Sequence, residues 1–226
     1  MLLSLFFLTG QIVPIDGEFE EWDEFEVIED SYENFIGESL IGSTEWTDYL
    51  QELDPHLDAE PIESDLHILF QRYIKKGSVA VDYGAGCGGR ALAFAPLVGT
   101  DGRVIALECE PELFRGLFWN LVRGKVQNAK IYCCIEDDRI DSLELENVSM
   151  LRIDAKGRED CILKGAVKTI RKYKPVLMIN LLGGIVIEQS DRFIKQEFEC
   201  RMGEIQKMGY RLQRIQDSWY LALPLE

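Results

Sequence analysis

A glycine cluster directly after a short apolar strand constrains this chain more than any other feature. Residues 78–82 (Ser-Val-Ala-Val-Asp) read as a buried strand that runs straight into Gly84-Ala85-Gly86-Cys87-Gly88-Gly89. Glycines adopt backbone angles that other residues avoid, and they let a ligand approach the main chain. A helical stretch follows over about 90–95, ended by Pro96, and its amide end faces the loop. The alternation then repeats. Residues 104–108 read as a strand ending in an acid, 111–122 as a helix with Pro at its first turn, and 129–134 as a strand. Residues 150–154 form a further strand ending in an acid, and 158–172 a helix stopped by Pro175. A strand over 176–179, a helix over 191–208 and two strands over 210–215 and 219–223 complete the order. Before the loop, a helix begins near Ser64, carries Leu66, Leu69, Phe70, Tyr73 and Ile74 on its apolar side, and stops at Gly77. Continuous apolar strands alternating with helices predict an α/β fold. The expected architecture is a Rossmann-like sandwich with a mainly parallel seven-stranded sheet and a C-terminal antiparallel hairpin.

Charge divides the chain. Residues 1–65 hold 19 of the 40 Asp and Glu and no Lys or Arg, whereas the remainder holds 21 acids and all 24 bases. The expected organisation is an acidic N-terminal extension over 1–60, packed on a nearly neutral domain over 61–226. Trp22, Phe25, Tyr32, Phe35, Trp46 and Tyr49 are too many anchors for a purely disordered arm. The run of acids from Glu18 to Glu29 reads as a solvated face, with a protein-binding arm as the second reading. An acidic field repels nucleic acid and anionic membranes, so neither is expected as a partner. The apolar stretch over residues 1–8 is too short to span a bilayer and lacks a basic flank, so it is read as a core strand or docked segment. The six cysteines show no CxxC spacing, and His56 and His67 are the only histidines. This pattern predicts reduced thiols in a cytoplasmic protein and no metal site. Neither histidine lies near the glycine loop, which makes triad chemistry a poor fit.

Two nucleotide readings compete at the loop. Gly84, Gly86 and Gly89 satisfy the GxGxxG of dinucleotide sites, and Gly84, Gly86 and Gly88 satisfy the GxGxG of S-adenosylmethionine (SAM) binders. Asp82 decides between them: an acid two residues before the first glycine matches a sulfonium-bearing ligand and would repel a pyrophosphate. Glu108 can accept hydrogen bonds from both ribose hydroxyls under either reading. The expected cofactor contacts are Asp82, Gly84, Ala85, Gly86, Gly88 and Glu108, with Glu136 after the third strand of the alternation as a contact to the adenine amino group.

Asp82-Tyr83-Gly84-Ala85-Gly86, Glu108 and the block Leu151-Arg152-Ile153-Asp154-Ala155-Lys156-Gly157-Arg158-Glu159 lead to a resemblance. Together with Leu163-Lys164-Gly165-Ala166 and Lys174-Pro175, they make residues 60–224 similar to the FkbM-type methyltransferases, a class I methyltransferase family. The resemblance implies SAM-dependent O-methylation of a hydroxyl on a sugar or small metabolite. Three positions depart from the family pattern: Lys156 replaces a Glu, Asn180 replaces a Glu, and Cys109 replaces a Pro. Asp154, at the carboxyl end of its strand, is the first candidate for base or orienter, and Glu159 is the second. Each has a plainer role available, Asp154 as a cap and Glu159 as a first-turn acid. Lys156 reads equally as a solvated lysine or as a grip on an acidic acceptor. The departures motivate a second reading, a methyltransferase-like scaffold without turnover. A nicotinamide-dependent Rossmann protein is the third.

Overall fold

The computed structural model describes residues 4–8, 11–15, 59, 62–133, 139–181, 192–216 and 218–225. The chain divides into two compact units, Met1–Leu53 and Asp54–Glu226. In the first, β1 (Ser4–Leu8) pairs antiparallel with β2 (Gln11–Ile15), with Leu8 opposite Gln11. The apolar start of the chain is thus a strand, as its composition predicts. Its partner was not foreseen, because Pro14 interrupts the β-branched run of Ile12, Val13 and Ile15.

The second unit opens with α1 (Ser64–Tyr73), β3 (Val79–Tyr83), α2 (Gly89–Val98), β4 (Arg103–Glu108), α3 (Pro111–Arg123) and β5 (Ala129–Cys133). It continues with α4 (Arg139–Ser142), β6 (Val148–Ile153), α5 (Glu159–Lys164), α6 (Val167–Tyr173) and β7 (Val176–Asn180). It ends with α7 (Arg192–Lys207), β8 (Tyr210–Gln216) and β9 (Trp219–Pro224). The seven-stranded sheet has the order β5-β4-β3-β6-β7-β9-β8. Strands β3 to β7 pair in parallel, and β9 joins β7 and β8 antiparallel. The predicted α/β class, parallel sheet and terminal hairpin are what the structure contains. The strand order reverses between β3 and β6, so the carboxyl ends of those two strands flank the topological switch point where open α/β sheets bind ligands.

Period-2 alternation sorts the side chains. Val81, Tyr83, Ile105, Leu107, Leu151, Ile153, Leu177 and Ile179 face one way and pack with Ile140 of α4, Ile162 of α5, Ile170 of α6 and Ile205 of α7. Each such aliphatic side chain gains about 1.5–3 kcal/mol by leaving water. Their alternates face the other way, where α2 packs on β3 and β4. There Phe70 of α1 meets Phe94 of α2 edge to face, with ring centroids 4.8 Å apart. That second face carries both small apolar residues, such as Ala80 and Ala106, and the buried charges Asp82 and Arg152.

Two helices differ from expectation. Helix α2 continues past Pro96 to Val98, since proline removes one amide without breaking the turns on either side: Gly99 still donates to the Ala95 carbonyl. The predicted helix over 158–172 is two helices parted at Gly165 and Ala166. Asp141 enforces the break. Its amide bonds the Gly165 carbonyl, and its carboxylate accepts from the amides of Lys168 and Thr169 and from the Thr169 hydroxyl, each at 2.8 Å. Among the described residues no helix is long and apolar enough to cross a membrane, and no group of three acidic, His or Cys side chains could hold a metal ion.

Gly102, in the turn before β4, gives a test of the packing. A Cβ there would lie 2.5 Å from the Val98 carbonyl oxygen and 2.6 Å from that of Ser78, both backbone atoms. Gly102→Ala should cost about 1–3 kcal/mol by overpacking. Gly77→Ala, at φ +75° but with open space around its Cβ, should cost about 1–2 kcal/mol from left-handed strain alone. Urea unfolding of both variants checks the ranking, and a larger loss at Gly77 would contradict it.

Candidate functional site

The site is built where β3, β4 and β6 end. Tyr83 closes β3, and the chain turns through Gly84 (φ +75°), Gly86 (φ +57°) and Gly88 (φ +89°) into α2. Gly84 is obligatory: a Cβ would overlap the backbone carbonyl oxygen of Asp154. That close approach, with the Asp154 amide donating to the Tyr83 carbonyl at 2.9 Å, locks the β3 loop to the end of β6. Gly88 is needed for packing, since a Cβ would sit 2.8 Å from Leu117 Cδ1 of α3. Gly86 instead has nothing within 4 Å of its Cβ position, so the turn keeps open space at its middle glycine. Ala85 is buried, and its amide bonds the Leu107 carbonyl beside that of Gly84.

Glu108 ends β4 and faces this loop. Its Oε2 accepts the Gly86 amide at 2.7 Å, and its Oε1 accepts the amides of Cys109 and Glu110 at 2.8 and 2.9 Å. Three backbone donors therefore hold one nearly buried carboxylate in a fixed orientation, with lone pairs left to accept more.

Asp82 of β3 is fully buried, and its Oδ1 accepts from Arg152 at 2.7 Å. Burial pushes its carboxyl above the usual range, opposed by the adjacent Arg152 guanidinium. Its Oδ2 has no hydrogen-bond partner among the described residues. Asp154 stands nearby, 27% exposed, with Oδ2 on Arg152 at 2.8 Å and Oδ1 accepting from the Asn180 amide at 3.1 Å. Asp82, Gly84, Ala85, Gly86, Glu108 and Asp154 thus come together at the switch point, while Glu136 lies outside the described residues. Sequence reasoning assigned no role to Arg152, a buried cation inside an apolar strand pattern. The signal available was its place in Leu151-Arg152-Ile153, at a position otherwise filled by core residues.

Glu159 has a different set of partners. It is fully buried, with Oε1 accepting the Gly157 amide at 2.9 Å and Oε2 accepting from Arg201 of α7 at 2.7 Å. Arg201 also donates to the Gly157 carbonyl at 3.1 Å. The pair clamps both polar groups of one glycine and so shapes the loop after β6, in which Lys156 (φ +47°) and Gly157 (φ +104°) are both left-handed. Lys156 points into solvent, 77% exposed, with Nζ 3.9 Å from Glu110. On the sheet face of Asp82 and Arg152, a cleft of about 180 Å³ is lined by Glu63, Arg90, Met178 and Trp219 among others. His67 bonds Gln71 on the exposed side of α1.

Removing one partner of a buried pair leaves an uncompensated charge. Arg201→Met should lower unfolding free energy by about 3–5 kcal/mol, read by urea denaturation. A loss below about 1 kcal/mol, the value of an exposed pair, would show that the clamp contributes little.

Comparisons with known proteins bear on this geometry. No protein-family model matches the chain, and no curated protein matches it. Among solved structures, it is similar to the O-methyltransferase TomG from Streptomyces achromogenes, solved with SAM. That match has TM-score 0.57 and 19% identity over 71% of this chain and 78% of that one. It is similar to an O-methyltransferase from Bacillus cereus in complex with SAH, with TM-score 0.55 and 16% identity over 84% of this chain and 96% of that one. It is also similar to a putative rRNA-methylase from Clostridium thermocellum, with TM-score 0.53 and 12% identity over 74% of this chain and all of that one. These structures share the Rossmann-like α/β sandwich of this chain.

Proposed function

We propose that the chain is a SAM-dependent methyltransferase whose cofactor lies in the Gly84–Gly88 turn. The observation that carries this is the pairing of open space at Gly86 with a pre-oriented Glu108 carboxylate at the adjacent strand end. The residues fit the cofactor's chemistry. Ribose hydroxyls are donors, and Glu108 retains acceptor capacity. The methionyl ammonium is a donor and a cation, and Asp82 Oδ2 is a buried acceptor with no partner among the described residues. Glu136 completes this reading as an acceptor for the adenine amino group. A pyrophosphate would meet the acids Asp82 and Glu108 at short range, which disfavours a dinucleotide.

When bound, SAM supplies an electrophilic methyl group on sulfur. The acceptor would be a hydroxyl on a sugar or small metabolite, consistent with the FkbM-like block over residues 151–159. A hydroxyl that took this methyl group would have to lose its proton, and Asp154 is the side chain we assign to receive or orient that proton. Arg152 and Asn180 fix its carboxylate, and its exposed edge can accept one more hydrogen bond. Most of the acceleration would come from holding the two reactants aligned. Glu159, bound on both oxygens by Gly157 and Arg201, fits a role in shaping the loop. The negative balance of the chain favours a small acceptor over nucleic acid. The acidic residues 1–60 are left as an arm for a protein partner. A scaffold without turnover is disfavoured by the placement of its two motivating residues. Lys156 stands in solvent, and Asn180 supports Asp154.

Calorimetric titration with SAM and S-adenosylhomocysteine (SAH) tests the reading. Folded, cofactor-free protein should bind both. Glu108→Ala should weaken binding about 10- to 100-fold, the value of charge-assisted hydrogen bonds. Asp82→Asn should weaken SAM binding by a similar factor. No heat with either ligand, or tight NAD binding alone, would sink the proposal.

A further inference from the structure

Four features of unlike chemistry meet on one side chain to which neither the sequence motif nor the proposed cofactor contacts assign a role. Arg152 is 1% exposed. Its Nη1 donates to Asp82 Oδ1 at 2.7 Å and to the Gly84 carbonyl at 3.0 Å, and its Nη2 donates to Asp154 Oδ2 at 2.8 Å. Its guanidinium carbon lies 4.8 Å from the ring centroid of Trp219, stacked as a cation on an aromatic face. Trp219 opens β9, pairs in register with Asn180, and lines the cleft. The planar fork thus touches the cofactor turn, the candidate base and the cleft wall at once. A point-charge ammonium could not hold three acceptors and a ring in one geometry.

We infer that Arg152 is a positioning residue that couples the cofactor turn to the acceptor cleft, so that ligand binding at Gly84 is transmitted to Trp219. This rests on the cofactor reading above and adds to it a mechanical link between donor and acceptor sites. The link follows from connectivity. Any shift of the Gly84 carbonyl on ligand binding moves a hydrogen-bonded guanidinium whose other face is the indole. The charged surroundings keep the cation in place. Asp82 on β3 and Asp154 after β6 flank it, and Arg90 of α2 acts on Asp82 from the cleft side. Glu63, before α1, completes the charged lining of the cleft. By linkage, an acceptor that orders Trp219 tightens donor binding by the same factor that the donor tightens acceptor binding.

Titration with SAH, followed by heat and by tryptophan emission, tests the link. Subtracting the signal of Trp219→Phe isolates Trp219 from the other indoles. In the wild type, SAH should bind and shift Trp219 emission. Arg152→Lys keeps a positive charge but loses the fork. It should retain cooperative thermal unfolding, bind SAH about 10-fold more weakly or worse, and lose the Trp219 response at saturation. Arg152→Met should be weaker still. Should Arg152→Met fail to fold, the wild-type response and Arg152→Lys decide the matter. Wild-type binding with no change in Trp219 emission overturns the coupling, as does Arg152→Lys with unaltered affinity and response. Wild-type protein that gives no heat with SAH overturns the cofactor reading itself, and the coupling falls with it.

Discussion

A single guanidinium surrounded by carboxylates organises the working end of this protein. Arg152 sits on a central strand, facing the side of the sheet that carries both its small apolar residues and its charges. Burying a charge there is costly unless it is paired and hydrogen-bonded on several sides. The cost is offset by Asp82, Asp154 and the Gly84 carbonyl, all at ion-pair or hydrogen-bond distance. Those same partners are the strand end, the loop glycine and the candidate proton acceptor. Pairing the arginine therefore also sets the relative positions of the glycine turn and the Asp154 carboxylate. Gly84 completes the lock from the other direction. It admits the Asp154 carbonyl where any side chain would collide.

A second buried pair serves the neighbouring loop. Glu159 and Arg201 grip the amide and carbonyl of Gly157 from below, and two successive left-handed residues result. Left-handed backbone at a lysine carries a strain of about 1–2 kcal/mol, and it persists where the surroundings over-determine it. The chain places this strain in the loop beside Asp154, where it lifts Lys156 clear of the cleft. Lys156 thus stands in solvent while the Asp154 carboxylate keeps its partners.

The two fully buried acids of the motif show what a local pattern leaves out. Asp82 and Glu159 are both flagged by spacing, and each is matched in the fold by a buried arginine. Their exposure is set by which strand or helix packs across them. Asp82 is covered because β6 pairs beside β3 and brings Arg152 opposite it in register. Glu159 is covered because α7, more than 30 residues later in the chain, brings Arg201 to it. Neither partner lies within reach of a local window.

The sequence by itself determined the class of the fold, the order of the seven sheet strands along the chain, and the glycine turn with Glu108 at the next strand end. These follow from short-range rules: apolar runs, breaker residues, and angles open only to glycine. It also marked Asp154 by its place after an apolar strand. Only the tertiary structure decided that β6 inserts beside β3, that Asp141 divides the helix over 158–172, and that Arg152 joins two carboxylates to Trp219. These depend on partners distant in the chain. The worth of a charge or a helix break is set by the dielectric and the hydrogen-bond donors that packing brings to it.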